Sequence, residues 1–207
     1  MKVLLLNGSP RKNGCTFAAL TEISRALGAE NIDCEIMQVG NGQVRDCIAC
    51  GGCVGKGKCV FDDDIANELI EKIKTADGFI AGTPVYYAHP SGRVLSILDR
   101  AFYAGKAYFM HKPAAAVVCA RRGGTAASFD VINKYFSIAQ MPIVSSTYWN
   151  MVYGNSPEEA YRDEEGMQTM RNLGKNMAWL LKCIALGKQN GVEPPTAELG
   201  ARTNFIR

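Results

Sequence analysis

Two kinds of apolar patterning alternate along the chain. Short runs of β-branched or small apolar residues, bounded by Gly, Pro or charge, fall at residues 3–6, 34–39, 78–83, 114–119 and 143–147 and predict five strands. Between them apolar positions recur every three or four residues: Phe17, Leu20, Ile23 and Leu27; Ile65, Leu69, Ile70 and Ile73; Val94, Leu95, Leu98 and Phe102; Phe129, Ile132 and Phe136. Each set lines one face of a helix. A longer stripe, Met167, Met170, Leu173, Met177, Leu180, Leu181 and Ile184, predicts a final helix. Strands that alternate with helices and are apolar on both faces require a parallel sheet with right-handed crossovers. The expectation is an α/β fold, a doubly wound five-stranded parallel sheet in the order 2-1-3-4-5 with helices on both faces. Residues 1–187 are expected to form that domain, and residues 188–207, with Pro194 and Pro195, an extended tail able to form an interface.

Composition narrows the classes. At 207 residues, 47% hydrophobic and 21% charged, the chain supports one well-buried core. A net charge of +3 on scattered basic residues argues against a nucleic-acid partner. Only four consecutive apolar residues precede the first polar break, too few for a signal peptide, and no apolar run approaches membrane-spanning length. A cytoplasmic location with no membrane partner is therefore expected. Clustered cysteines there are more often metal ligands or redox groups than disulfides.

Ligands of such sheets sit at the carboxyl ends of the strands, where the strand order switches. Three loops lie there. The first, NGSPRKNGCT at residues 7–16, leads straight into the Phe17 helix; free amides at that helix start, the hydroxyls of Ser9 and Thr16 and the charge of Arg11 suit a phosphate. It also reads as a plain turn with a Ser or Asn cap. In the second, TPVYYAHPSG at residues 83–92, Pro84 is expected to stop the strand, and Tyr86 and Tyr87 offer aromatic surface either to a flat ring or to a subunit interface. The third, ARRGGTA at residues 120–126, offers close backbone approach at Gly123 and Gly124 and positive charge at Arg121 or Arg122 for a reduced ring. Together the three describe a mononucleotide with a planar head, flavin mononucleotide.

The segments GSPRKNGCT, TPVYY followed by PSG and LDR, and ARRGG resemble the NADPH-dependent FMN reductase group of flavodoxin-like proteins over roughly residues 1–184. With the cysteine-rich loop DCIACGGCVGKGKC added, the likeness is to the iron-sulfur flavoproteins of that group. The resemblance implies that Ser9, Arg11, Asn13, Gly14, Cys15 and Thr16 hold the FMN phosphate. It places Pro84, Val85, Tyr86 and Tyr87 along the isoalloxazine, and Ala120, Arg121, Arg122, Gly123 and Gly124 on its far side. Cys15 stands where Asn or Ser is common; a thiol is a poor donor, which leaves the binding to its backbone amide.

Cys47, Cys50, Cys53 and Cys59 follow a CxxCxxC pattern with a fourth Cys after a short spacer, compact enough for a [4Fe-4S] cube, with Gly51, Gly52, Gly55 and Gly57 bending the backbone and Lys56 and Lys58 offsetting the cluster's negative charge. Zinc prefers two CxxC knuckles on a long spacer, yet zinc, a disulfide or an empty loop remain open readings. The resemblance favours the cube, since iron-sulfur flavoproteins carry it on the same arrangement. GCVGKGK, residues 52–58, imitates a triphosphate-binding loop, but Cys59 replaces its Ser or Thr and Asp62, Asp63 and Asp64 follow at once. Those aspartates are expected to cap the Ile65 helix. His89 and His111 stand isolated, and without a GxGxxG motif a nicotinamide would dock on the flavin. The expected function is electron transfer between FMN and a ferredoxin-type partner through the cluster; the alternative is an NADPH- or NADH-dependent reductase of flavins or quinones. A homodimer or higher homo-oligomer is expected, because such a fold leaves one flavin face open.

Overall fold

The computed structural model describes residues 1–201 together with Thr203 and Phe205. Its elements run β1 (Lys2–Asn7), α1 (Cys15–Ala29), β2 (Asp33–Gln38), α2 (Ala66–Thr75), β3 (Gly78–Tyr86), β4 (His89–Pro90), α3 (Gly92–Phe109), β5 (Ala114–Ala120), α4 (Thr125–Ile138), β6 (Met151–Tyr153), α5 (Pro157–Arg162) and α6 (Glu164–Gln189). The sheet order is β2-β1-β3-β5-β6, every neighbour parallel, with β4 paired antiparallel to the end of β3. This is the expected doubly wound order.

Alternation along the strands builds two cores. Leu4, Leu6, Phe79, Ala81, Ala114 and Ala116 face α2, α3 and α4. Val3, Leu5, Ile80, Ala115 and Val117 face α1 and α6 on the other side. Both faces are dry over the central strands β1, β3 and β5, which are therefore mostly apolar, as a parallel sheet requires; the edge strand β2 is only half-buried.

The fifth strand lies elsewhere than residues 143–147. Ile143 makes only an isolated parallel bridge to Ala114, and Val144 donates its amide to Ala114 O at 2.8 Å before the chain leaves the sheet. Met151–Tyr153 resumes the edge beside Val118, Cys119 and Ala120. Between these segments the carbonyl of Ala116 lacks a strand partner, and the Asn150 side-chain amide donates to it at 2.9 Å. The apolar run at 143–147 thus begins the strand, and an asparagine replaces the missing rung.

Two smaller expectations are also corrected. Pro84 does not stop its strand: β3 runs on to Tyr86, with Pro84 in register with Cys119. β1 ends at Asn7 opposite Gly82, so one edge of β3 is free beyond that point and tolerates a residue without an N–H. The tail begins later than Lys188, because α6 continues through Gln189. Residues 192–201 have no regular structure. The part of the proposed tail at Arg202, Asn204, Ile206 and Arg207 lies outside the described residues.

Candidate functional site

The first loop is held in shape by the side chains under it. Asn7 is fully buried. Its Oδ1 accepts from the Ser9 amide at 3.2 Å, and its Nδ2 donates to Gln38 Oε1 at 2.5 Å and to Lys12 O at 3.3 Å. Gln38 Nε2 donates back to Ser9 O at 2.5 Å. Gly8 has no room for a side chain, since a Cβ would lie 2.6 Å from Gly82 O, and Ser91 Oγ donates to its carbonyl at 3.0 Å. Strands β1 and β3 and the start of α3 thereby converge on a single loop.

That loop ends at an uncapped helix. Gly14 occupies the N-cap of α1 and no side chain accepts from the first turn, which leaves amides pointing outward with the positive end of the helix dipole. Ser9 Oγ already accepts the Arg11 amide at 3.1 Å, so its own proton is available to an anion. Arg11 is exposed beside it. An anionic oxygen is the chemistry this end suits.

A cavity of about 180 Å³ opens there, lined by Ser9, Arg11, Gly14, Cys15, Pro84, Val85, Tyr86, Cys119, Ala120, Arg121, Gly154 and Asn155. Nine of the fifteen residues expected at the flavin site line it. The other six stand apart from the lining. Asn13, Arg122 and Gly123 are exposed. Thr16 is buried with its methyl over Gly82. Tyr87 projects fully into solvent, and Gly124 caps α4 in the left-handed region at φ +90°. Gly124 acts from behind: a Cβ on it would stand 2.5 Å from Ala88 Cα, so the third loop packs directly on the Tyr87–Ala88 turn of the β3–β4 hairpin.

Cys119, Gly154 and Asn155 were not anticipated at this cavity. Gly154 and Asn155 follow β6, and the Cys15 thiol donates to Gly154 O at 3.4 Å. A strand expected to end at residue 147 hides the loop that follows residue 153. Burial pushes the Cys15 thiol up from its ordinary range; its own backbone hydrogen bond and the charge of Arg11 pull the other way. Complete burial pushes Cys119 up as well.

The four cysteines of the second motif line one separate cavity of about 260 Å³ with Asp46, Ile48, Ala49, Gly51, Val54, Val60, Phe61, Arg100 and Tyr103. It shares no lining residue with the first. Glycines 51, 55 and 57 and also Ala49 have positive φ, the bending expected of a loop that turns its thiols inward. Cys59 is buried, Cys47 and Cys53 half-buried and Cys50 exposed. Among the described residues no three His, Cys, Asp or Glu side chains stand close enough to share one metal ion. A cube asks something different, one thiolate at each of its separate corners. Four thiols around one cavity, with a buried guanidinium behind them, fit that donor set.

The aspartates after the loop divide their work instead of all capping α2. Asp64 Oδ1 does accept the Ala66 amide at 3.0 Å, but Asp63 pairs with Arg45 and Asp62 accepts from Asn67. Arg100 and Asn67, which hold the loop from beneath, were not read from the sequence as functional. Arg100 lies within LDR, and its burial could not be seen from a helical stripe.

These features define the class: a doubly wound sheet with an uncapped helix start and an aromatic rim at its switch point belongs to the flavodoxin-like proteins. The pattern of the NADPH-dependent FMN reductase family matches residues 1–156, and the chain belongs to that family, a flavin-dependent oxidoreductase. It is 32% identical over 192 residues to an iron-sulfur flavoprotein of Methanocaldococcus jannaschii, covering 89% of this chain and 99% of that one. It is 30% identical over 192 residues to an iron-sulfur flavoprotein of Methanosarcina thermophila, covering 89% and 97%. An archaeal flavodoxin structure superposes over 88% of this chain and 99% of its own with a TM-score of 0.61 at 14% identity, a likeness of fold. Among the described residues no helix is long and apolar enough to cross a membrane.

Proposed function

We propose that the chain binds FMN at the β1–β3–β5 edge and a [4Fe-4S] cluster in the cysteine loop, and passes electrons between FMN and a ferredoxin-type redox partner. One observation carries the reading: four thiols line one cavity, and a separate cavity offers free helix amides beneath an aromatic and arginine rim. Ser9, Arg11 and the amides of Gly14, Cys15 and Thr16 would hold the phosphate, and Asn13 lies beside them. Pro84, Val85, Tyr86 and Tyr87 would flank the ring, with Ala120 to Gly124 opposite. Three or four charge-assisted bonds at about 1.5–3 kcal/mol each supply most of the roughly 8 kcal/mol of a micromolar ligand. Cys47, Cys50, Cys53 and Cys59 would be the cluster ligands. When bound, FMN supplies one- and two-electron chemistry and the cluster one-electron transfer.

The chain's own contribution is placement. Arg121 lines the cavity and would stabilise negative charge on a reduced ring, and the half-buried Cys15 and buried Cys119 thiols, both pushed up by burial, would leave the cavity wall uncharged. The family description favours a second reading, reduction of FMN by NADPH or NADH with the cysteine loop empty or zinc-bound. Anaerobic purification followed by a visible spectrum and iron, sulfide and flavin analysis separates the two. Flavin with four irons per chain is expected; flavin without iron, rapidly bleached by NADPH, would sink the cluster half. Trp179, Ile184 and Leu186 are exposed on α6 and support assembly as a homodimer or larger homo-oligomer, which light scattering tests.

A further inference from the structure

Arg100 belongs to α3, a core helix, yet its whole guanidinium is spent on the segment that carries the cysteine loop. The residue is 2% exposed. Nε donates to Cys59 Sγ at 3.3 Å, one terminal nitrogen donates to Arg45 O at 3.2 Å and to the Asp64 carboxylate, and the other donates to Phe61 O at 2.8 Å. A buried guanidinium is costly unless its donors and its charge are both answered. Asp64, with its side chain equally buried, answers the charge, and two carbonyls answer two donors. The remaining contact is the informative one. A neutral thiol is a weak acceptor, whereas a thiolate makes a charge-assisted bond with the Nε–H. As a cluster ligand the Cys59 sulfur would be that thiolate, and the Arg100 Nε–H is aimed at it at 3.3 Å.

Resting on the cluster reading above, we propose that Arg100 is a positioning residue that holds the Cys59 thiolate in place and sets the reduction potential of the cluster bound there. Reduction adds one electron to a centre that four thiolates already make anionic. No bond forms or breaks at Arg100 during that step. A fixed positive charge bonded to one of the sulfurs favours the more negative, reduced form, so the potential rises; Asp64, paired with the same guanidinium, opposes it.

The test is an electrode-poised, mediated titration of anaerobically loaded protein, with the electrode as electron source, the cluster signal as readout and bound FMN as the folding control. Arg100→Gln is expected to lower the midpoint by enough to change the oxidised-to-reduced ratio at least tenfold, about 59 mV for one electron. Asp64→Asn is expected to move it the opposite way, and Arg100→Lys to keep most of the wild-type value. A purely structural role would cost iron in both Arg100→Gln and Asp64→Asn without opposite shifts. Iron-loaded variants with unchanged potentials, or shifts of one sign, overturn the proposal. If the variants lose FMN and do not fold, wild-type protein labelled with 15N-arginine decides: a hyperfine coupling from arginine nitrogen to the reduced cluster supports the contact, and its absence overturns it. Wild-type protein that binds no iron overturns the cluster reading itself, an outcome distinct from iron-loaded protein in which Arg100 has no effect.

Discussion

Asn67 grips Cys59 by both of its backbone groups: Oδ1 accepts the Cys59 amide at 2.8 Å, and Nδ2 donates to the Cys59 carbonyl at 3.0 Å. The same Nδ2 reaches Phe61 O at 3.2 Å and Asp62 Oδ1 at 3.0 Å, so one asparagine on α2 fixes the exit of the cysteine loop. Cys59 is thereby the anchored thiol of the four, and the other three sit on the glycine-rich part of the loop. Asn67→Ala strands a buried amide and its carbonyl partners, a loss of about 1–3 kcal/mol. Urea unfolding should report that loss, and iron per chain should fall while bound FMN stays at the wild-type level. Full iron with an unchanged unfolding midpoint would contradict the anchoring role.

A second prediction concerns the joint between two loops at the proposed flavin cavity. Gly124 sits at φ +90° with space for no Cβ, because Ala88 Cα would be 2.5 Å away and Val85 Cγ1 2.9 Å away. Tyr87 and Ala88, the two residues of the hairpin turn, also have positive φ, as the tight turn that matches strand twist requires. Gly124→Ala combines left-handed backbone strain with overpacking and is expected to cost about 1–3 kcal/mol or more. Since the turn carries Tyr87 and directly follows Tyr86, FMN affinity should fall with stability. Gly123→Ala is the control: no atom lies within 4 Å of its Cβ position, and its stability should change by less than about 0.5 kcal/mol. Equal effects of the two substitutions would remove the packing argument.

Much of this architecture was legible because the determining signals are local. The central strands β1, β3 and β5 are dry on both faces, so their apolar runs are nearly continuous, while the half-buried edge strand β2 shows only Cys34, Ile36 and Met37; α1 to α4 and α6 carry periodic stripes. The edge escaped for a physical reason. This edge strand is split into a bridge at Ile143 and the three residues Met151–Tyr153, with the Asn150 side chain completing the ladder. No periodicity survives in three residues. That single displacement also concealed Gly154 and Asn155, whose place at the cavity depends on where the strand ends. The loop at residues 7–16 and the cysteine spacing stand out directly because each candidate set is contiguous in sequence. Arg100 and Asn67 could not, because their roles come from being buried beneath a loop distant in the chain.

The Cys15 thiol yields a reactivity prediction. The thiolate is the species that alkylates, and burial, partly countered by the thiol's backbone hydrogen bond and by Arg11, pushes Cys15 above the ordinary thiol range. At pH 8 its reaction with iodoacetamide should be slower than that of Cys183, which is exposed on α6, and slower again with FMN bound. Cys119, wholly buried, should react only on unfolding. Peptide mapping by mass spectrometry after timed alkylation reads all three sites at once. Cys15 labelling as fast as Cys183 would mean that the start of α1 is more open than its contact with Gly154 implies.

The last prediction follows from the separation of the two cavities, which have no lining residue in common. The loop at residues 7–16 is braced by Asn7, Gln38 and Ser91, the cysteine loop by Asn67 and Arg100, and neither set of braces bonds to the other loop. Loss of one ligand therefore should not unmake the other site. Cys50→Ala, at an exposed cysteine, should abolish iron binding and leave FMN at one per chain. Arg11→Gln removes one charge-assisted bond, about 1.5–3 kcal/mol, and should weaken FMN binding roughly tenfold to a hundredfold while iron stays bound. Because Arg11 is exposed, the smaller figure is expected at physiological salt, where the solvent screens its charge. Flavin titration and iron analysis on the same preparations measure both effects. If folded Cys50→Ala protein no longer took up FMN, the two loops would have to be parts of one site, and electrons would have no second centre to move to.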